Sequence, residues 1–286
     1  MKLNKSKKIL IVGLGLMGGS YAMALKKKGY FVSAITKDPK SIDYALKNNI
    51  IDQGYTEVTK NNVGSADIIV FALYPSVFVE WIKEYKDLIS PDTILTDVTG
   101  VKGCIVYEIQ ELLGDGAEFI SAHPMAGKEV AGVENSDDSI FKSANYIVVP
   151  TEKNSGEAVE LCCELGRTLG FASVSCLTPE KHDRMIAFLS QLTHCIAISL
   201  MNASDDPDLV SYTGDSFRDL TRIARINDEM WSELFLSNRE SLLAEMDNYR
   251  EAFDKLYDTV KNSDREAMRE MMRVSTLRRA RFDKKN

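Results

Sequence analysis

The apolar run Lys8-Ile9-Leu10-Ile11-Val12 leads directly into Gly13-Leu14-Gly15-Leu16-Met17-Gly18, and no other feature restricts the chain as much. Residues 8–14 read as a strand buried on both faces, and residues 17–28 as a helix that stops at Gly29. A GxGxxG triad between such elements has a specific physical use. The first glycine permits a tight turn, the second lets the backbone approach a pyrophosphate, and the third allows helix and strand to pack closely. The helix start then offers free N–H groups and the positive end of its dipole to the phosphates. Gly13, Gly15, Leu16, Met17 and Gly18 are therefore the candidate dinucleotide cradle. Alone, the triad could serve only as a turn; its place at the head of an alternating pattern favours the cofactor reading.

That alternation continues. Strands are expected at 31–35, 68–73, 93–97, 119–122, 146–149 and 172–176, with helices at 39–48, 76–88, 101–113 and 156–169. The order is that of a parallel sheet built from crossover units. After it, Thr178-Pro179-Glu180 has the form of a helix start, with an N-cap hydroxyl, proline at the first helical position and an acid in the first turn. Helical periodicity then runs to the end. The fold class is α/β, with an N-terminal Rossmann-like dinucleotide-binding domain over 1–176 and an all-helical domain over 177–286. At the end of the second strand an NAD site usually carries an acid for the ribose diol. Here Thr36 and Lys37 occupy that place, which suits a 2′-phosphate, so NADP is favoured over NAD. Asp38 could reach a diol only if the turn were shifted.

The net charge of −7 argues against a general nucleic-acid binder. The basic start MKLNKSKK runs into a strand pattern with no apolar signal core, and no apolar run approaches the roughly 20 residues of a membrane helix. Five cysteines without zinc spacing read as reduced, mostly structural thiols, and no metal site is expected. These features point to a cytoplasmic protein acting on a small molecule, with no membrane or nucleic-acid partner. No further domain of about 70 residues is expected beyond the helical region.

In an open α/β sheet, chemistry collects beyond the carboxyl ends of the strands. Two segments fall there: 96–102, with Thr99, and 121–127, with His123 directly after a strand-like run. His123 is the candidate catalytic base. Arg218, Arg222 and Arg225 share one helix face, either as a solvated basic stripe or as an anion grip. Asp183, Ala187, Ser190 and His194 form a small or polar stripe along the helix after Thr178. His182 lies on another face with Ile186, Leu189 and Thr193, where a packing histidine and a functional one are both open.

The segments GLGLMGGS, TDVTGVKG, SAHPMAGKEVAGVE, TPEKHDRMIAFLSQLTHCIA and FRDLTRIARINDEMW, in that order, resemble the signatures of the prephenate/arogenate dehydrogenase family. The resemblance covers nearly the whole chain. It implies oxidative decarboxylation of prephenate to 4-hydroxyphenylpyruvate in tyrosine biosynthesis, or of arogenate to tyrosine, by a homodimer joined through its helical domains. A hydroxyacid dehydrogenase on the same scaffold is a more distant alternative, and a non-catalytic NADP sensor is the reading from another class. The resemblance also implies a substrate-binding role for Arg222 and His194, an acid at Glu129 that pairs with the active-site arginine, and an aromatic at Trp231 near the pocket or in a dimer core. Where the family carries Gly-Ser, this chain has Thr99-Gly100, so Thr99 is expected to supply the hydroxyl that orients nicotinamide and substrate.

Overall fold

The computed structural model describes residues 3–128 and 130–283. The chain divides into two compact units, 1–238 and 239–286. In the first, a six-stranded parallel sheet has the order β3-β2-β1-β4-β5-β6, formed by β1 (Lys8–Val12), β2 (Phe31–Ile35), β3 (Gln53–Tyr55), β4 (Ile68–Phe71), β5 (Ile94–Asp97) and β6 (Glu118–Phe119). Alternate side chains of β1 explain why this strand is central. Ile9 and Ile11 enter a core with Tyr21 and Leu25 of α1 (Leu16–Lys27) and Leu161 and Leu165 of α6 (Gly156–Leu169). Leu10 and Val12 enter the opposite core with Phe78 and Ile82 of α4 (Pro75–Tyr85) and Ile105 and Ile109 of α5 (Gly103–Leu113). Each such side chain contributes about 1.5–3 kcal/mol by leaving water, which is why a run with no polar alternation forms a strand here. The remaining helices of this half are α2 (Pro39–Lys47) and α3 (Lys60–Val63).

A second sheet, not separable in the sequence, comprises β7 (Ser121–Pro124), β8 (Asn145–Val149) and β9 (Ser173–Cys176). β7 and β8 are antiparallel, β8 and β9 parallel. The expected strand 119–122 is therefore two strands in two sheets. Ile120 bridges them, its N–H still bonding the Leu95 carbonyl. His123 consequently lies inside β7, opposite Ile147, rather than just past a strand end. β3 was also absent from the sequence reading, because three residues carry too little periodicity to register.

Past β9 the expected helix start is found: Thr178 caps α7 (Pro179–Ile186) by accepting from the Lys181 N–H. α7 continues through a π-helical turn, Ala187–Gln191, into α8 (Leu192–Met201). This 23-residue run is by length and composition long and apolar enough to cross a membrane, contrary to the expectation that no segment is. Its polar residues are used otherwise, as described below. α9 (Asp215–Thr221) and α10 (Asp228–Ser237) complete the first unit. The change from strands to helices thus falls near residue 177, while the compact unit extends to Asn238. The second unit is a pair of helices, α11 (Arg239–Lys261) and α12 (Arg265–Arg279), joined at Ser263, whose φ is +54°.

Candidate active site

Strand order reverses between β1 and β4, and the loops after β1, β4 and β5 open there onto one cavity of about 720 Å³. That is the size of a small-molecule site. Gly15, Leu16, Met17 and Gly18 line one end. Gly13 has φ +95°, and a Cβ on it would run into the Ala72 carbonyl; a Cβ on Gly18 would run into the Gly13 carbonyl. Gly15 instead faces open space. It also precedes α1 without any side-chain cap, and the first turn of α1 carries no acid. The helix N-terminus therefore keeps its N–H groups for an anion, and the residues present fit a dinucleotide pyrophosphate. Thr36 follows β2, with its N–H on the Tyr55 carbonyl. Asp38 is the N-cap of α2: its carboxylate accepts from the N–H groups of Lys40 and Ser41 and from the Ser41 hydroxyl. No acid thus occupies the usual diol position, and the nearest one is engaged by the helix.

The middle of the cavity is formed by Val98, Thr99, Gly100 and His123. Beneath them lies a fully buried ion pair, Lys102 Nζ to Asp97 Oδ2 at 2.8 Å. Asp97 Oδ1 also accepts from the Ser121 hydroxyl (2.6 Å) and the Ala122 N–H (3.0 Å), while Lys102 donates to the Ala122 carbonyl at 2.7 Å. The pair thereby ties β5 of one sheet to β7 of the other, next to His123. Burial lowers the Lys102 pKa, opposed by the Asp97 carboxylate. Thr99 borders the cavity, but its hydroxyl donates to Asp97 and lies 3.1 Å from Lys102 Nζ. A threonine two residues past Asp97 closes a local turn on the carboxylate, while the residue still borders the cavity where the hydroxyl was expected to act.

Gly100 stands where the family resemblance implies a serine. A Cβ on it would sit 3.9 Å from His123 Nε2 and 3.6 Å from the Leu234 side chain, ordinary contact distances. Gly100→Ser should therefore fold with stability within about 0.5 kcal/mol of wild type, as for a substitution that meets no obstruction; a thermal melt checks this.

His123 is half-buried at the edge of the cavity; loss of hydration drives its pKa well below that of a free histidine, helped by His182 and Lys102. Its Nδ1 lies 2.8 Å from His182 Nε2, and His182 Nδ1 lies 2.7 Å from Asp183 Oδ1. Burial likewise lowers the His182 pKa, against the opposing hydrogen bond to Asp183. Both imidazoles are neutral in the fold, whereas unfolding returns them to a pKa of about 6.5. The unfolded chain then binds more protons, so stability falls as pH drops below about 6.5, toward the lowered pKa values of the fold. Denaturant titrations across that range should show this decline, smaller in a His123→Asn variant.

The far wall is helical. Ile186, Ser190, Gln191 and His194 line it from the α7–α8 run, and Met230, Trp231 and Leu234 from α10. His194 Nδ1 donates to the Ser190 carbonyl (2.9 Å), and its ring stacks on Trp231 at 3.7 Å between centroids. Of the expected polar stripe, Ser190 and His194 reach the cavity, while Asp183 turns to the start of α5, accepting from the N–H groups of Lys102 and Gly103. The π turn shifts the register between them, a feature concentrated at functional sites. Gln191, missed in the sequence, braces this wall by donating to the Leu234 carbonyl and accepting from Asn238. Arg225 and Ile223 line the cavity; Arg222, itself exposed, begins the 3-10 turn Arg222–Ala224 between α9 and α10. Glu129 lies outside the described residues. Among the described residues, no His, Cys, Asp and Glu group could hold a metal.

A phosphate cradle and a neutral histidine opening on one cavity, at the switch point of a doubly wound sheet, belong to a dinucleotide-dependent dehydrogenase. Residues 21–174 match the family described as prephenate dehydrogenase, nucleotide-binding domain, and residues 178–274 match prephenate dehydrogenase, dimerization domain. The chain belongs to the prephenate dehydrogenase family. It is 33% identical over 270 residues to a prephenate dehydrogenase of Lactococcus lactis subsp. cremoris, covering 92% of this chain and 73% of that protein. A cyclohexadienyl dehydrogenase of Zymomonas mobilis is 25% identical over 94% of both chains. The prephenate dehydrogenase of A. aeolicus, solved with hydroxyphenyl propionate and NAD+, superposes with a TM-score of 0.89 at 30% identity, over 97% of this chain and 98% of that one.

Proposed function

We propose that the protein oxidises prephenate to 4-hydroxyphenylpyruvate with release of CO2, using NADP in preference to NAD, in the cytoplasm and as a homodimer. The observation that carries this reading is His123: a half-buried imidazole, its pKa held low, whose Nε2 faces the cavity between the phosphate cradle and the helical wall. Bound nicotinamide supplies the hydride acceptor. His123 Nε2 accepts a hydrogen bond from the ring hydroxyl of the substrate and takes its proton as the C4–H bond gives up hydride. Loss of the ring carboxylate as CO2 then sends an electron pair through the ring to the oxygen. His123 returns the proton, leaving an aromatic phenol. A neutral imidazole is the form able to do this.

Arginine suits the substrate's carboxylates because it donates two parallel hydrogen bonds in a fixed geometry. Arg222 holds the family position for this role, and His194 sits on the wall that the substrate side chain would meet, stacked on Trp231. Arg222→Ala should raise KM for prephenate about 10- to 100-fold, the loss of one charged hydrogen-bonded contact, with the dinucleotide Kd unchanged. Steady-state kinetics with a cofactor titration distinguishes that outcome from general damage. Glu129 is proposed as the acid near Arg222, and Thr99 as a positioning residue for Asp97 and Lys102.

The preference for NADP is supported by Thr36 and Lys37 after β2 and by the helix-capping use of Asp38. A functional boundary near residue 177 is supported by the passage from one family region to the next between residues 174 and 178. The dimer is supported by the second matched region and by apolar side chains exposed on α11 and α12, among them Phe253, Tyr257 and Leu277. Arogenate is the second reading, favoured by the spread of substrates among the relatives.

A further inference from the structure

Asp183 is held rigidly. Its Oδ1 accepts from the Lys102 N–H at 2.9 Å and its Oδ2 from the Gly103 N–H at 2.7 Å, at the N-terminus of α5, where the helix dipole favours an anion. A carboxylate only accepts, so the 2.7 Å contact from His182 requires Nδ1 of that ring to carry its proton. The neutral ring then has a bare Nε2. The contact of 2.8 Å from this nitrogen to His123 Nδ1 therefore needs the proton on His123. One tautomer of His123 remains, with Nδ1–H pointing into the protein and a lone pair on Nε2 pointing at the cavity.

We infer that His182 and Asp183 are positioning residues for His123: their hydrogen-bond chain fixes the tautomer that presents a bare Nε2 to the substrate, and it takes up positive charge when that nitrogen is protonated. The inference rests on His123 being the base of the proposed reaction. As Nε2 gains the substrate proton, the Nδ1 proton of His123 can pass to Nε2 of His182, whose own Nδ1–H stays on Asp183. The charge then lies against the Asp183 carboxylate, which offsets the Lys102 ammonium that faces both rings, and the return of both protons restores the resting state. A packing histidine would be satisfied by any acceptor. Here a ring with no exposed surface uses one nitrogen on the carboxylate and the other on the base. The charged groups facing the pair are Asp183 on α7, Asp97 on β5, and Lys102 between β5 and α5.

The chain has only three histidines, so side-chain nitrogen NMR of the full-length protein can assign every ring. The expected spectrum has His123 protonated at Nδ1 and bare at Nε2, with His182 likewise protonated at Nδ1. Kinetically, His182→Leu should lower kcat about 10- to 100-fold, part of the 10²–10⁴ a general base supplies, with the dinucleotide Kd retained and the acid limb of the pH profile displaced. His182→Gln, whose amide oxygen can accept from His123 Nδ1, should keep more of the rate. His123 protonated at Nε2 in the wild-type resting protein would overturn the inference, and the NMR result stands even if His182→Leu fails to fold. Equal, wild-type-like kcat and pH profiles in both variants would also overturn it while leaving His123 as the base. Conversely, wild-type protein inactive with every substrate would remove the proposed reaction, yet the tautomers would still report on the chain of hydrogen bonds.

Discussion

His123→Asn is expected to lower kcat by about two orders of magnitude or more, while NADP binds as in the wild type. The size follows from what the residue does. Asparagine presents an amide in place of a basic nitrogen, so the proton leaving the substrate hydroxyl has nowhere to go as hydride departs. Dinucleotide affinity is held elsewhere, by the glycine turn and the open start of α1, so a fluorescence titration of the variant should match the wild type. Turnover near the wild-type rate would remove His123 from the mechanism. Loss of both turnover and cofactor binding would mean instead that the ring supports the site's structure.

The second large effect is on stability. Lys102→Met should cost about 3–5 kcal/mol, because it strands the Asp97 carboxylate in a site with no exposed surface. For a protein of this size that is a fall in Tm on the order of 10 °C. The loss should be markedly non-additive: Asp97→Asn combined with Lys102→Met should destabilise less than the two single changes summed, since the double variant leaves no unpaired charge. Calorimetry of the two single variants and the double variant tests this. Simple additivity would mean that the two side chains act independently, and that the 2.8 Å contact does not join β5 to β7 as described.

How far the sequence could be read depended on the range of the interactions involved. The glycine turn is local: Gly13 has a positive φ and Gly13 and Gly18 are crowded by backbone, while Gly15 faces open space where a pyrophosphate would approach. The Thr178-Pro179 helix start is local too, and it was legible. The second sheet was not, because its separation from the first depends on Ile120 carrying the chain between partners distant in sequence. His123 could be nominated from its place after an apolar run, but the 2.8 Å contact with His182 joins residues 59 apart and left no periodic trace. The helical wheel even assigned His182 to a face where packing and function were equally open. Ser190 and His194 were legible as part of the cavity wall, but the π turn at Ala187–Gln191 hid the share of Ile186 and Gln191, since a constant helical period cannot represent an inserted residue. For Thr99 the structure adds a partner that the motif did not suggest, the Asp97 carboxylate two residues away.

The central claim, dehydrogenation of prephenate at a site built around His123, is tested most directly by following reduced nicotinamide with purified protein, pairing prephenate and arogenate each with NAD and with NADP. The account predicts turnover with prephenate and a higher kcat/KM with NADP than with NAD. Turnover with arogenate alone would keep the chemistry and change the substrate, and a preference for NAD would refute the reading of Thr36 and Lys37. No turnover in any pairing, from folded protein that binds the dinucleotide, would contradict the account.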